Sequence, residues 1–174
     1  MTLQATIGAE KSVQNDVVEI KPKTKAGRPS KPSEEHFNHL DKLTYLIVDD
    51  SRFNRKMVRE ALSLFGVRHT IEAKDAVQAL QILEKDHIDL VLTDYEMPMM
   101  TGVELTRMIR RSKEVKNSAV PILIISGYTE EYRLQEAIAA GIEEYVVKPF
   151  APDKLLCHVV RALGVAHPAL LAAS

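Results

Sequence analysis

From Leu43 onward, short unbroken apolar runs alternate with stretches whose apolar residues recur at helical spacing. Leu43 to Val48 predicts a strand buried on both faces, and it ends on two acids, Asp49 and Asp50. Ser51 follows as an N-cap, with Met57, Val58, Ala61, Leu62 and Phe65 on the inward side of a helix that Gly66 closes. Residues 67–73 predict a weaker strand at a sheet edge, and Asp75 to Lys85 a helix with Ala76, Ala79, Leu80 and Leu83 inward. Ile88 to Leu92 is a second buried run, leading to Asp94. Pro98 forbids helix at Met97, and Gly102 lets the backbone turn before a helix from Val103 to about Arg111. The charged stretch Arg110 to Asn117 reads as a solvated helix end and loop. Pro121 precedes a third buried strand, Ile122 to Ile125, which ends on Ser126 and Gly127. Thr129 to Ala140 predicts an amphipathic helix stopped by Gly141. Tyr145 to Val147 predicts a short strand running into Lys148-Pro149-Phe150, and Pro152 opens a last helix through about Leu163.

Strand-like and helix-like patterns thus alternate throughout. That order predicts an α/β fold, a parallel sheet covered by helices on both faces and joined by right-handed crossovers. The chemically distinctive strand ends, Asp49, Asp50, Asp94, Ser126 and Lys148, then converge on one edge, where open α/β sheets bind their ligands. The bland reading of Asp94 taken alone is an acid that caps a loop.

The 174 residues allow one domain with tails. We divide them into an N-terminal extension, 1–41, a domain, 42–166, and a short tail, 167–174. Within the extension Val13, Val17, Val18 and Ile20 make at most a short helix, and the rest has too little apolar surface to offset ordering entropy. Lys21 to Pro32 carries five of the 23 basic residues and no acid, which leaves 18 basic against 24 acidic elsewhere, a net of −6. The globular part is acidic, which argues against nucleic acid or an anionic membrane as a general partner. Gly27-Arg28-Pro29 resembles the core of a minor-groove-binding AT-hook, but Ala26 stands where that motif has arginine, and the segment reads as solvated linker. The lone Cys157 cannot form an internal disulfide and fits the apolar spacing of the last helix as a small hydrophobe. No apolar run reaches the roughly 18 residues of a membrane span. The expected place is the cytoplasm.

Three carboxylates at adjacent strand ends are a poor structural device. Like charges about 4 Å apart cost on the order of 1 kcal/mol in water and roughly 4 kcal/mol at an effective dielectric of 20. Either one carboxylate is protonated or a hard cation sits among them, and Mg²⁺ suits a few carboxylates with open positions. No histidine or cysteine cluster offers a softer metal a home, since His36 and His39 lie in the extension and the other four are scattered. An ionised carboxylate is also a nucleophile that needs no activating base. Phosphoryl transfer asks mainly for positioning and charge neutralisation, which Mg²⁺, a Ser126 hydroxyl and a Lys148 ammonium would supply.

With Asp49-Asp50 after the first strand, Asp94 followed by Met97-Pro98 and Gly102, Ser126 after the fourth strand, and Tyr145-Val-Val-Lys148-Pro149-Phe150, the chain resembles the receiver domain of bacterial two-component response regulators, most closely the single-domain chemotaxis type. The resemblance covers about Lys42 to Gly164. It implies a doubly wound, flavodoxin-like five-stranded parallel sheet of order 2-1-3-4-5 with five flanking helices. It further implies that Asp94 is phosphorylated by a sensor histidine kinase or phosphotransfer protein, that Mg²⁺ is held by Asp49, Asp50, Asp94 and the Glu96 backbone carbonyl, and that a cis bond precedes Pro149. On phosphorylation Ser126 would move toward the phosphoryl group and Tyr145 would turn inward. The signal would emerge on the face of the fourth helix, fifth strand and fifth helix, to a downstream protein or a second copy. Only Val165 to Ser174 follow the last helix, so the expected module has no fused output domain.

Two positions depart from the family pattern. Glu96, two residues after Asp94, and bulky Tyr128, two after Ser126, are expected to shield the phosphoryl group partly. Two other function classes fit parts of the pattern: an aspartyl-phosphate phosphatase with Glu96 as general acid/base, and a regulator that binds DNA or protein through its basic tail. Met97, Met99 and Met100 read as loop packing.

Overall fold

The computed structural model describes residues 40–166. The possible helix around Val13 to Ile20, the Gly27-Arg28-Pro29 segment, His36, His39 and the tail 167–174 lie outside them. The elements follow in strict alternation: β1 (Thr44–Val48), α1 (Arg52–Ser63), β2 (His69–Ala73), α2 (Ala76–Lys85), β3 (Leu90–Asp94), α3 (Gly102–Arg111), β4 (Ile122–Ser126), α4 (Glu131–Ala140), β5 (Glu144–Val147) and α5 (Pro152–Ala166). All strand pairs are parallel, in the order β2-β1-β3-β4-β5. The order reverses between β1 and β3, and a crevice at their carboxyl ends is the geometric result.

Period-two alternation divides the sheet between two cores. Leu46, Val48, Val91, Ile122, Ile124 and Tyr145 face α2, α3 and α4. Tyr45, Ile47, Leu90, Leu92, Leu123, Ile125 and Val146 face α1 and α5. The interior strands are buried on both sides, which is why they read as unbroken apolar runs. The helices begin where a short polar side chain satisfies an orphan N–H: Ser51 accepts from Asn54, Asp75 from Gln78, and Thr101 forms a reciprocal capping box with Glu104. Gly141 ends α4 at φ 99°, a backbone that favours glycine.

Several expectations are corrected. β3 runs Leu90–Asp94 instead of Ile88 to Leu92, because its ladder continues past the apolar run to pair Asp94 with Ile125. Helix α4 starts at Glu131 instead of Thr129, and α5 continues to Ala166. On α1, Met57 is exposed instead of inward. The stretch Arg110 to Asn117 is not simply solvated: Val115 is buried, and Arg110 is half-buried across the top of β4 and β5. The Arg110 guanidinium donates to the carbonyls of Gly141 (3.0 and 2.8 Å), Ser118 (2.9 Å) and Val120 (2.8 Å) and pairs with Glu143 at 3.1 Å. It thereby closes the carboxyl end of α4. Leu40, expected in the extension, packs with the domain: it is 1% exposed within the α1/α5 core, and its carbonyl accepts the Tyr45 hydroxyl at 3.3 Å.

Candidate functional site

The carboxyl ends of β1, β3, β4 and β5 bring Asp49, Asp50, Asp94, Ser126 and Lys148 to one crevice. Asp49 is buried at 4% exposure, and Asp50 is exposed. Each of Asp49, Asp50 and Asp94 offers a carboxylate oxygen, and these oxygens lie within 4.8 Å of one another, the only such acidic or His/Cys group among the described residues.

The first turn of α1 orients Asp49. Its Oδ1 accepts from the Ser51 N–H at 2.8 Å, and the Asn54 amide donates to both of its oxygens at 3.2 and 3.0 Å. Arg55 donates to the Asp49 carbonyl at 2.7 Å while pairing with Glu72 of β2 at 3.0 Å, which fixes the turn after β1. Asn54 and Arg55 escaped sequence reasoning; their signal is position in the first turn after the acidic pair. Gly102 matters for space more than for turning: a Cβ there would lie 2.2 Å from the Asp94 carbonyl oxygen, so only glycine allows α3 to start against the end of β3.

Lys148 Nζ stands 2.5 Å from Asp94 Oδ1 and 3.3 Å from Asp49 Oδ2, carried there by the end of β5. The following Lys148–Pro149 bond is cis. Burial pushes the Asp94 carboxyl above its usual range; the Lys148 ammonium pulls it down, and Asp49 and Asp50 push it up further. Burial works against the Lys148 charge too, but its hydrogen bond and attraction to Asp94, with Asp49 behind, carry its pKa above the ordinary value. One cation therefore faces three carboxylates, and the surplus negative charge and convergent oxygens fit a hard divalent cation. With Mg²⁺ bound, the site would offer Asp49, Asp50 and Asp94 as oxygen donors, and the metal would neutralise charge on a transferring phosphoryl group.

Ser126 is fully buried, and its Oγ accepts from the Tyr128 N–H at 3.1 Å. Tyr145 lies inward, 3% exposed. Its hydroxyl donates to the Tyr128 carbonyl at 3.2 Å, and its ring meets Tyr95 edge-on at 6.4 Å, two contacts that hold it there. Tyr128 Oη donates to Glu96 Oε2 at 2.7 Å, and Arg133 donates to Glu96 Oε1 at 3.1 Å. These two partners, Tyr128 first, hold the Glu96 carboxyl below its usual range. A carboxylate so engaged is a poor general acid, and the phosphatase alternative finds no support. Arg133 was not anticipated, nor was the buried contact of 2.7 Å between His158 Nδ1 on α5 and Glu144 on β5. Met97 packs into the core while Met99, at φ 69°, is fully exposed. Cys157 is half-buried.

Comparison with known proteins agrees with this fold. The family model described as the response regulator receiver domain matches residues 45–160. Chemotaxis protein CheY-3 of Vibrio cholerae is 40% identical over 110 residues, covering 63% of this chain and 83% of the relative. The high-resolution structure of the chemotaxis response regulator CheY4 of Vibrio cholerae superposes with a TM-score of 0.62 at 34% identity, covering 69% of this chain and 98% of that one. The receiver domain of sensor histidine kinase PA1611 from Pseudomonas aeruginosa, solved with a magnesium ion coordinated in its active-site cleft, gives a TM-score of 0.62 at 26% identity, over 70% of this chain and 98% of that one.

Proposed function

The chain belongs to the response regulator receiver family, modules of phosphorylation-dependent signalling, and from that premise we propose that Asp94 is its phosphoacceptor. The observation that supports this reading best is the Lys148 ammonium 2.5 Å from an Asp94 carboxylate that two further acids crowd. The donor is a phosphohistidine on a sensor kinase or phosphotransfer protein. An Asp94 oxygen bonds to phosphorus as the P–N bond breaks, and the imidazole nitrogen leaves with the electron pair. Mg²⁺ held by Asp49, Asp50, Asp94 and the Glu96 carbonyl is the cofactor. Lys148 takes charge on one phosphoryl oxygen, and Ser126 releases the Tyr128 N–H to donate its hydroxyl to another.

Tyr128 links that exchange to the surface, since its N–H holds Ser126 and its carbonyl holds Tyr145. Phosphorylation then shifts an existing balance between two arrangements of the β4–α4 loop, and the face of α4, β5 and α5 presents the outcome to a protein target. No helix among the described residues is long and apolar enough to cross a membrane, and the reading places the module in the cytoplasm. The DNA-binding alternative rested on the basic extension and has no support from the comparisons.

The test is the intact mass of wild type and Asp94→Ala after incubation with a small-molecule phosphodonor, with and without Mg²⁺. A Mg²⁺-dependent gain of one phosphoryl group in wild type alone is expected. No gain in correctly folded wild type would reject Asp94 as the acceptor.

A further inference from the structure

Arg133 does not behave like an ordinary surface arginine. Its side chain is 19% exposed, and its guanidinium carbon lies 3.8 Å from the centroid of the Tyr128 ring, 5.1 Å from Tyr95 and 5.6 Å from Tyr132. Its Nη1 donates to Glu96, and its Nε donates to the Tyr132 hydroxyl at 3.0 Å. Cation–π attraction strengthens as water is excluded, and a planar guanidinium can stack and pair at once.

The partners make this arrangement consequential. Glu96 lies two residues beyond Asp94 on the β3–α3 loop, and Tyr128 two beyond Ser126 on the β4–α4 loop. The Glu96 carboxylate has one oxygen on Tyr128 Oη and the other on Arg133. The side chains of the two loops that border the crevice are therefore tied together, and Arg133, reaching from α4, is the tie that both others share.

We propose that Arg133 is a positioning residue for dephosphorylation, holding Glu96 and Tyr128 as a clasp over the Asp94 crevice so that water reaches the phosphoryl group only when the clasp opens. The inference rests on Asp94 as phosphoacceptor. In the gated step a water oxygen bonds to phosphorus, the bond from phosphorus to the Asp94 oxygen breaks, and the electron pair returns to the carboxylate. Inorganic phosphate leaves, and the water's proton passes to it or to solvent. A small phosphodonor enters by the same mouth, so the clasp slows loading as well as loss.

The full chain is loaded with acetyl phosphate and Mg²⁺, freed of donor, and followed by intact mass over time. Arg133→Ala is expected to lose its phosphoryl group roughly fivefold faster than wild type, and to load faster by a similar factor. Arg133→Lys, which keeps the charge but not the flat stacked fork, falls between them. Glu96→Gln moves the rates in the same direction and is not additive with Arg133→Ala, which keeps the idea testable should Arg133→Ala fold poorly. A residue that only supports the fold would lower the melting temperature and leave both rates alone. Rates in Arg133→Ala equal to wild type or slower would overturn the clasp, whereas wild type that never gains a phosphoryl group would reject the Asp94 assignment itself.

Discussion

Asp94 occupies a position that folding makes uncomfortable, with burial and two neighbouring acids opposing its charge and Lys148 alone relieving it. Function-bearing groups commonly sit at such cost to stability. In Mg²⁺-free buffer at pH 7 Asp94→Asn should therefore be more stable than wild type, by about 1 kcal/mol, because it relieves burial of a charge and two like-charge contacts while Lys148 keeps Asp49 as its partner. Lys148→Ala should be less stable by about 2 kcal/mol, below the range for fully buried pairs because the lysine side chain is 28% exposed. Mg²⁺ should raise the midpoint more in Lys148→Ala than in Asp94→Asn, since the cation replaces the missing charge in one and has one donor fewer in the other. Chemical denaturation with and without Mg²⁺ reads all four numbers, and a destabilised Asp94→Asn would show that the carboxylate is well accommodated after all.

Between β3 and α3 the chain must turn tightly under Asp94, and the Thr101–Glu104 capping box holds the helix start that makes the turn possible. Thr101 accepts from the Glu104 N–H at 3.2 Å, and Glu104 Oε2 accepts from the Thr101 N–H at 2.8 Å. Thr101→Ala should cost about 1 kcal/mol. The Thr101 backbone N–H and hydroxyl hold the Glu104 carboxyl below its ordinary 4.5. With a folded pKa below the unfolded one, Glu104 contributes stability above pH 4.5, and that contribution is lost as pH falls through the lowered value. Wild type should thus exceed Glu104→Gln in stability at pH 7 and converge with it in acid; a difference constant across that range would assign the effect to packing. The same box shows how much of the elements was legible. Apolar runs closed by acids announced β1 and the end of β3, and Ser51, Gly66 and Gly141 marked helix ends, because these signals are local. Arg110 and Arg133 were not legible. Each looks solvated in its own helix, and its role comes from carbonyls and rings that only the folded chain brings within reach. The His158–Glu144 contact was hidden for the same reason, being a pairing between α5 and β5. The inward position of Tyr145 likewise depends on a Tyr128 carbonyl whose direction no periodicity encodes.

At the scale of the molecule, the two cores decide where the domain begins. Among the described residues both clusters lie between Leu40 and Leu163, and Leu40 belongs to the α1/α5 cluster at 1% exposure. The sequence pattern put the boundary at residue 42 because Leu40 stands alone among polar neighbours, and a single leucine carries no period. Its burial makes it part of the fold. A chain trimmed to begin at Ser33 keeps every core residue among those described, and its denaturation midpoint should stay within about 0.5 kcal/mol of wild type. One trimmed to begin at Lys42 should lose about 3 kcal/mol, from the vacated leucine site and from the Tyr45 hydroxyl left without its carbonyl. Both should still gain a phosphoryl group with Mg²⁺ at temperatures where they are folded, because the site is built at the opposite, carboxyl ends of the strands. Equal midpoints for the two would show that Leu40 adds nothing, and an equal fall in both would place a stabilising contact before residue 33. The expected split would locate the domain's edge by energy: Leu40 seals the end of the α1/α5 core that faces away from Asp94, so stability and chemistry are separable along the strand axis.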